Sequence, residues 1–154
     1  MSKKKIKKWI TAAIVLILLC YGAFWLLLRP SGITSDTAMN SFTKHRESYE
    51  NTATYLAAKN YTTSITDLIT IDQHFGISSE QTTEYTNMVN GVEHLMKIGI
   101  KEISAEGNCV RFILNSGGGM LKREHAELLY CKDGSSEGFT PLGYENWYYQ
   151  IVSE

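Results

Sequence analysis

The stretch "NSGGGMLKRE", residues 115–124, carries residue types that can cradle a phosphate: three successive glycines, Gly117 to Gly119, followed by Lys122 and Arg123. A phosphate loop of the form G-x-x-x-x-G-K-[ST] turns backbone N–H groups toward the anion between a strand and a helix. Counted from Gly117, the second glycine of that pattern falls on Lys122, and no Ser or Thr follows a lysine there. Lys122 also occupies the last glycine position of a G-x-G-x-x-G frame. The segment that follows, "HAELLYCK", has the clustered apolar residues of a strand. The glycines therefore read as the loop of a hairpin, with Lys122 and Arg123 left as contacts for a partner.

The other reactive side chains are dispersed. His45, His74, His94 and His125 show neither H-x-x-x-H nor H-E-x-x-H spacing, so they read as surface histidines. Asp72 and His74 would need a third metal ligand from elsewhere. Ser116 lies outside any G-x-S-x-G frame. Glu47 and Glu50 stand one helical turn apart, as two solvent-facing glutamates also would. Arg111, in "VRFIL", is placed on the sheet face opposite the core, in ion-pair reach of Glu102 and Glu106 across the neighbouring strand. No catalytic, cofactor-binding or metal-binding set is expected, and no cofactor. Cys109 and Cys131 support two readings: a disulfide closing a loop of about 20 residues, or two half-buried thiols. "YENWYYQIV" crowds Tyr144, Trp147, Tyr148 and Tyr149 together. Alternation puts Trp147 and Tyr149 on one face and Tyr148 on the other, so this strand, including Trp147, Tyr148 and Tyr149, is the expected partner patch.

Elements that could position these groups follow from periodicity. After the N-cap types Ser35 and Asp36, the residues Met39, Phe42, Tyr49, Ala53 and Leu56 share one helical face, which predicts a helix over 36–59. Residues 61–76 fit a helix or a strand. A second helix starts at the Ser78/Gln81 capping pattern, continues through Tyr85, Met88, Val92 and Leu95, and ends at Gly99. From Ile100 the period becomes two, and "IKEISAE", "NCVRFILN", "HAELLYCK" and "NWYYQIV" predict four strands. A two-residue turn at Gly107-Asn108 sets Glu106 opposite Cys109 and Ile103 opposite Phe112. If the next hairpin pairs Asn115 with His125, Cys109 stands opposite Cys131 and Phe112 opposite Leu128. One register keeps the apolar face continuous, and a slip of one residue breaks it.

The N-terminus differs from the rest. Lys3, Lys4, Lys5, Lys7 and Lys8 precede "WITAAIVLILLCYGAFWLLL", a charge-free run from Trp9 to Leu28. Twenty residues in a helix reach roughly 30 Å, the thickness of a bilayer's hydrocarbon core. The run is longer than a cleavable signal's apolar region and lacks a small-residue cleavage site. Leu19 before Cys20 argues against lipidation. The expectation is an uncleaved signal-anchor with the N-terminus cytoplasmic and the C-terminal domain extracytoplasmic. The chain then divides into a basic tail (1–8), a transmembrane helix (9–28), a linker (29–35) and an α+β domain (36–154) with two helices packed on a four-stranded antiparallel sheet. Beyond Pro30 lie nine of the 15 Lys/Arg and all 16 Asp/Glu, a net charge of −7. Such a domain is a poor match for nucleic acid.

Phe42, Arg46 and Tyr49 form an F-x-x-x-R-x-x-Y pattern, and Asn146, Trp147, Tyr148 and Tyr149 an NWYY-like closing strand. In both, and in the lysine-rich anchor, the chain resembles small single-pass membrane-anchored proteins of Gram-positive bacteria that have no assigned activity. The resemblance implies an architecture and no reaction. Together these readings predict a membrane-tethered, extracytoplasmic binding domain without catalysis, immunity-like or an accessory subunit. Its partners would be the lipid bilayer through residues 9–28 and a protein outside the membrane. The alternative is a cell-envelope hydrolase whose site is assembled from dispersed residues.

Overall fold

The computed structural model describes residues 14–22, 33–67, 82–114, 124–134 and 136–153. Helix α1 is described over residues 14–22, where Ile14 to Leu19 and Tyr21 are exposed. Among the described residues, no helix is long and apolar enough to cross a membrane. That finding corrects the expected transmembrane helix over 9–28, and with it the single-pass, signal-anchor and membrane assignments. Residues 9–13 and 23–28 lie outside the described residues.

The predicted helix over 36–59 is two helices, α2 (Ser35–Lys44) and α3 (Arg46–Ala58), separated at His45. Thr34 caps α2 one residue earlier than the sequence indicated: its side chain accepts from the Thr37 N–H and the Thr37 side chain accepts from its own. The break at His45 follows from the sheet beneath. α2 packs on the strands at 124–131 and 147–153, and α3 on those at 100–106 and 109–114. The bend carries the chain from one pair of strands to the other. α3 ends on Asn60 at φ 55°, where the Tyr61 N–H bonds to the Leu56 carbonyl and the Asn60 N–H to that of Ala57. That double bond pattern satisfies the last carbonyls and turns the chain out of the helix.

The ambiguous segment 61–76 begins with strand β1 (Thr62–Ile65); residues 68–76 lie outside the described residues. Helix α4 (Thr83–Lys97) is capped by Thr82, whose hydroxyl accepts from the Tyr85 N–H, and Gly99 terminates it at φ 105°. Ser78 and Gln81, the expected cap, lie outside the described residues. α3 and α4 approach closely at Gly91. A Cβ there would sit 2.6 Å from Thr52 Oγ1 and 2.9 Å from the Ser48 carbonyl oxygen. Glycine at this position is what lets the helices meet.

Strands β2 (Ile100–Glu106), β3 (Cys109–Leu114), β4 (Glu124–Cys131), β5 (Thr140–Pro141) and β6 (Trp147–Ser153) complete one antiparallel sheet in the order β1-β2-β3-β4-β6-β5. Among the described residues the sheet thus has six strands rather than the expected four. The two extra strands are its short edges: β1 fell in the ambiguous segment, and a two-residue strand has no periodicity to detect. The central register is the predicted one, with Glu106 opposite Cys109, Ile103 opposite Phe112, Cys109 opposite Cys131 and Phe112 opposite Leu128.

The core lies between the sheet's inner face and the helices. Phe42, Tyr49, Leu56, Met88, Val92 and Leu95 meet Ile103, Val110, Phe112, Leu128 and Trp147 there. Tyr49 has no exposed surface, and its hydroxyl bonds to Ser41 Oγ at 3.0 Å. Burial pushes the phenol up to about 12. The fold therefore favours the neutral phenol. That contribution is complete below pH 10 and is lost as pH rises through about 12, worth roughly 2–3 kcal/mol. We predict that Tyr49→Phe, followed by urea unfolding from pH 8 to 12, loses less stability across the alkaline limb than the unsubstituted chain.

Candidate functional site on the outer face of the sheet

With helices on one face, the other presents rows of side chains running across the strands. One row is Ser64, Ser104, Arg111, Leu129 and Tyr148; the next is Glu102, Ile113, Glu127 and Gln150; His125 and Val152 follow. Leu129 is almost fully buried and Ile113 half-buried, so an apolar centre lies among polar groups.

Glu127 dominates this face. Its side chain is only 7% exposed although it points away from the main core. A carboxylate this deep needs partners, because desolvating an unpaired charge is costly. Gln150 Nε2 donates to Oε2 at 2.6 Å, His125 Nε2 lies 3.2 Å from Oε1, and Arg111 Nε lies 3.8 Å from Oε2. The His125 contact is a hydrogen bond in the tautomer with its proton on Nε2. Three strands thus converge on one carboxylate, and the strand pairing that places them is the same one that builds the core. Beside it, Ser64 Oγ donates to Glu102 Oε1 at 2.8 Å, and the Tyr148 hydroxyl donates to the Gly134 carbonyl at 3.1 Å.

The structure gives Arg111 a different partner from the expected Glu102 or Glu106. Ser104 is indeed opposite Arg111 on β2, but the ion pair runs the other way, to Glu127 on β4. Trp147 is 3% exposed and belongs to the core, so it offers no surface to a partner. Tyr149 is half-buried against that core, and Tyr148 carries the outward position. Lys122, Arg123, the glycine loop, Ser116, Asp72 and His74 lie outside the described residues. Glu50 is paired with Arg46 at 2.6 Å, which accounts for it without Glu47.

Cys109 and Cys131 are joined by a disulfide on this outer face, at the end beside the Gly107-Asn108 turn. With Asp133 they bring two sulfurs and a carboxylate oxygen within 4.8 Å of one another. Only thiolates serve as metal ligands, and in the disulfide neither sulfur is available. His125 and Glu127 have the parts of a proton relay. Among the described residues, however, no hydroxyl, thiol or second carboxylate is hydrogen-bonded to His125.

The sequence reading missed Glu127 and Gln150. A carboxylate inside the apolar run "HAELLYC", two residues after a histidine and on the same face by alternation, was the available signal. A cavity of about 290 Å³ opens between α3 and α4, where Asn51, Thr54, Tyr55, Lys59, Glu84 and Asn87 are among its walls. No protein-family model matches the chain, and no curated protein or solved structure matches it.

Replacing Glu127 by Ala strands the donors of Gln150 and His125, an expected loss of about 1–3 kcal/mol in urea unfolding. His125→Ala, which leaves Glu127 its other partners, should cost less. Breaking the disulfide, which spans 22 residues, in the double variant Cys109→Ser/Cys131→Ser should cost about 3 kcal/mol by the chain-entropy relation.

Proposed function

We propose that this chain is a non-catalytic binding domain that recognises a protein partner through the outer face of its sheet. The observation that carries the reading is the Glu127 carboxylate, held from three strands on the face the helices leave open. It holds His125 and Gln150, with Arg111 Nε 3.8 Å away, beside the half-buried Ile113 and the outward Tyr148. Preorganised polar groups lose little freedom on binding, and Arg and Tyr are among the residues that most often dominate interface energies. The net charge of −7 beyond Pro30 favours a basic protein surface over a nucleic acid. The His125–Glu127 pair supports a second reading, a hydrolase with the imidazole as general base, which would show as turnover lost in Glu127→Gln.

A photo-crosslinking residue at position 111 or 148, in cells producing the full chain, should yield a single protein adduct, with none from position 54 on the helical side. Arg111→Ala and Tyr148→Ala should each weaken that partner's binding by about 1 kcal/mol or more. Adducts from position 54 alone would overturn the assignment.

A further inference from the structure

The fold brings together two of the four histidines that looked unrelated in sequence. His45 sits at the junction of α2 and α3, and its backbone is held on both sides. Its N–H bonds to the Ser41 and Phe42 carbonyls, and its carbonyl accepts from the Ser48 and Tyr49 N–H groups. His94 projects from α4, next to the buried Leu95. His94 Nε2 and His45 Nδ1 lie 2.8 Å apart, with ring centroids at 4.9 Å and planes tilted by 52°. In the metal-free protein that contact is a hydrogen bond, in which one nitrogen carries a proton.

The separation is also close to that of two nitrogens bound to one metal ion. Imidazole nitrogens bind Zn²⁺ at about 2.0–2.1 Å, so two of them at adjacent corners of a coordination sphere stand roughly 2.9–3.4 Å apart. A few tenths of an ångström of opening, with rotation of the two partly exposed rings so that both nitrogens face one point, would let a cation take the place of the shared hydrogen bond. Neutral imidazole is the ligating form, and His45 is pushed below its ordinary value by burial first, then by His94 and Lys44. Of the nearby charges, Arg46 is paired with Glu50 and lies over the Tyr144 ring, and Glu93 is paired with Lys97. Among the described residues, no third metal-binding side chain joins the pair. Water would complete the sphere.

We propose that His45 and His94 form a two-histidine site for a borderline divalent transition metal, which clips the α2–α3 junction to α4. Two nitrogen ligands and an open remainder suit Cu²⁺ before Ni²⁺ and Zn²⁺. Mg²⁺ and Ca²⁺, which require oxygen ligands, would not bind. Binding shifts the donor ring to its other tautomer, moving the proton from the bridging nitrogen to the ring nitrogen that faces away from the metal, and involves no change of oxidation state.

The test uses the full chain with Cys20→Ser, which removes the free exposed thiol as a competing ligand. Cu²⁺, Ni²⁺, Zn²⁺ and Mg²⁺ are titrated separately while bound metal and the unfolding midpoint are followed. One equivalent of Cu²⁺ should bind with nitrogen hyperfine structure in its electron paramagnetic resonance spectrum, and the midpoint should rise with metal concentration. His45→Gln and His94→Gln should each lower affinity by more than the roughly 10–100-fold that losing an outer-shell partner costs. Ring-proton resonances of His45 and His94 in the histidine-intact chain, broadened selectively by substoichiometric Cu²⁺, give the same answer without those substitutions. Binding that survives both variants, or broadening confined to His74 and His125, would overturn the proposal.

Discussion

The rest of the fold depends on the contact between two helices and the sheet made by Phe42, Tyr49, Phe112 and Trp147. The Phe42 and Trp147 rings meet at 4.6 Å between centroids, Tyr49 stands edge-on to Phe112 at 5.1 Å, and Phe112 lies 5.8 Å from Trp147. Each comes from a different part of the chain: α2, α3, the central strand β3 and the last strand β6. Aromatic pairs in such tilted and edge-on geometries add about 0.5–1.5 kcal/mol each beyond the area they bury. Closing the cluster commits the chain to strand pairings far apart in sequence. It also commits α2 and α3 to different pairs of strands, and so requires the bend at His45.

That constraint gives the two short motifs of the sequence a physical meaning. In F-x-x-x-R-x-x-Y, Phe42 and Tyr49 are the cluster, and Arg46 lies 4.7 Å from the centre of the Tyr144 ring, a cation over the rim of the aromatic core. In the closing strand, Trp147 completes the cluster while Tyr148 turns outward. The motifs pack against each other. Their residue types follow from packing, and no chemistry is needed to account for them.

The same pairings generate both candidate sites as by-products of closure. Because the inner face of the sheet is committed to the aromatics, the alternate residues of β3, β4 and β6 must share the outer face, where Arg111, Glu127 and Gln150 converge. Because Gly91 lets α3 and α4 meet closely, the bend at His45 comes within reach of α4, and His94 finds a partner 49 positions away in the chain. Neither site requires an element outside the core plan. Each arises where a buried constraint places polar side chains from separate elements at one point.

What the sequence determined is local or periodic. Alternation and the Gly107-Asn108 turn specified the β2-β3 register, and a supposed Asn115–His125 pairing extended the apolar face of Val110, Phe112 and Leu114 to β4 in the register observed. The same register placed Cys109 opposite Cys131 and turned Tyr148 away from Trp147. Helical spacing located the residues of α2, α3 and α4, and Gly99 marked where the last of these ends. The apolar run at 9–28 has the composition of a membrane span, yet among the described residues no helix is long and apolar enough to cross a membrane. The break at His45 was equally invisible, since no proline or glycine marks it and its cause lies in the strands beneath. The short edge strands β1 and β5, the choice of Glu127 as the partner of Arg111, and the meeting of His45 with His94 were also decided by tertiary structure alone. In each case the deciding contact joins segments whose separation in space is set by packing, a quantity that neighbouring residues in a chain do not encode.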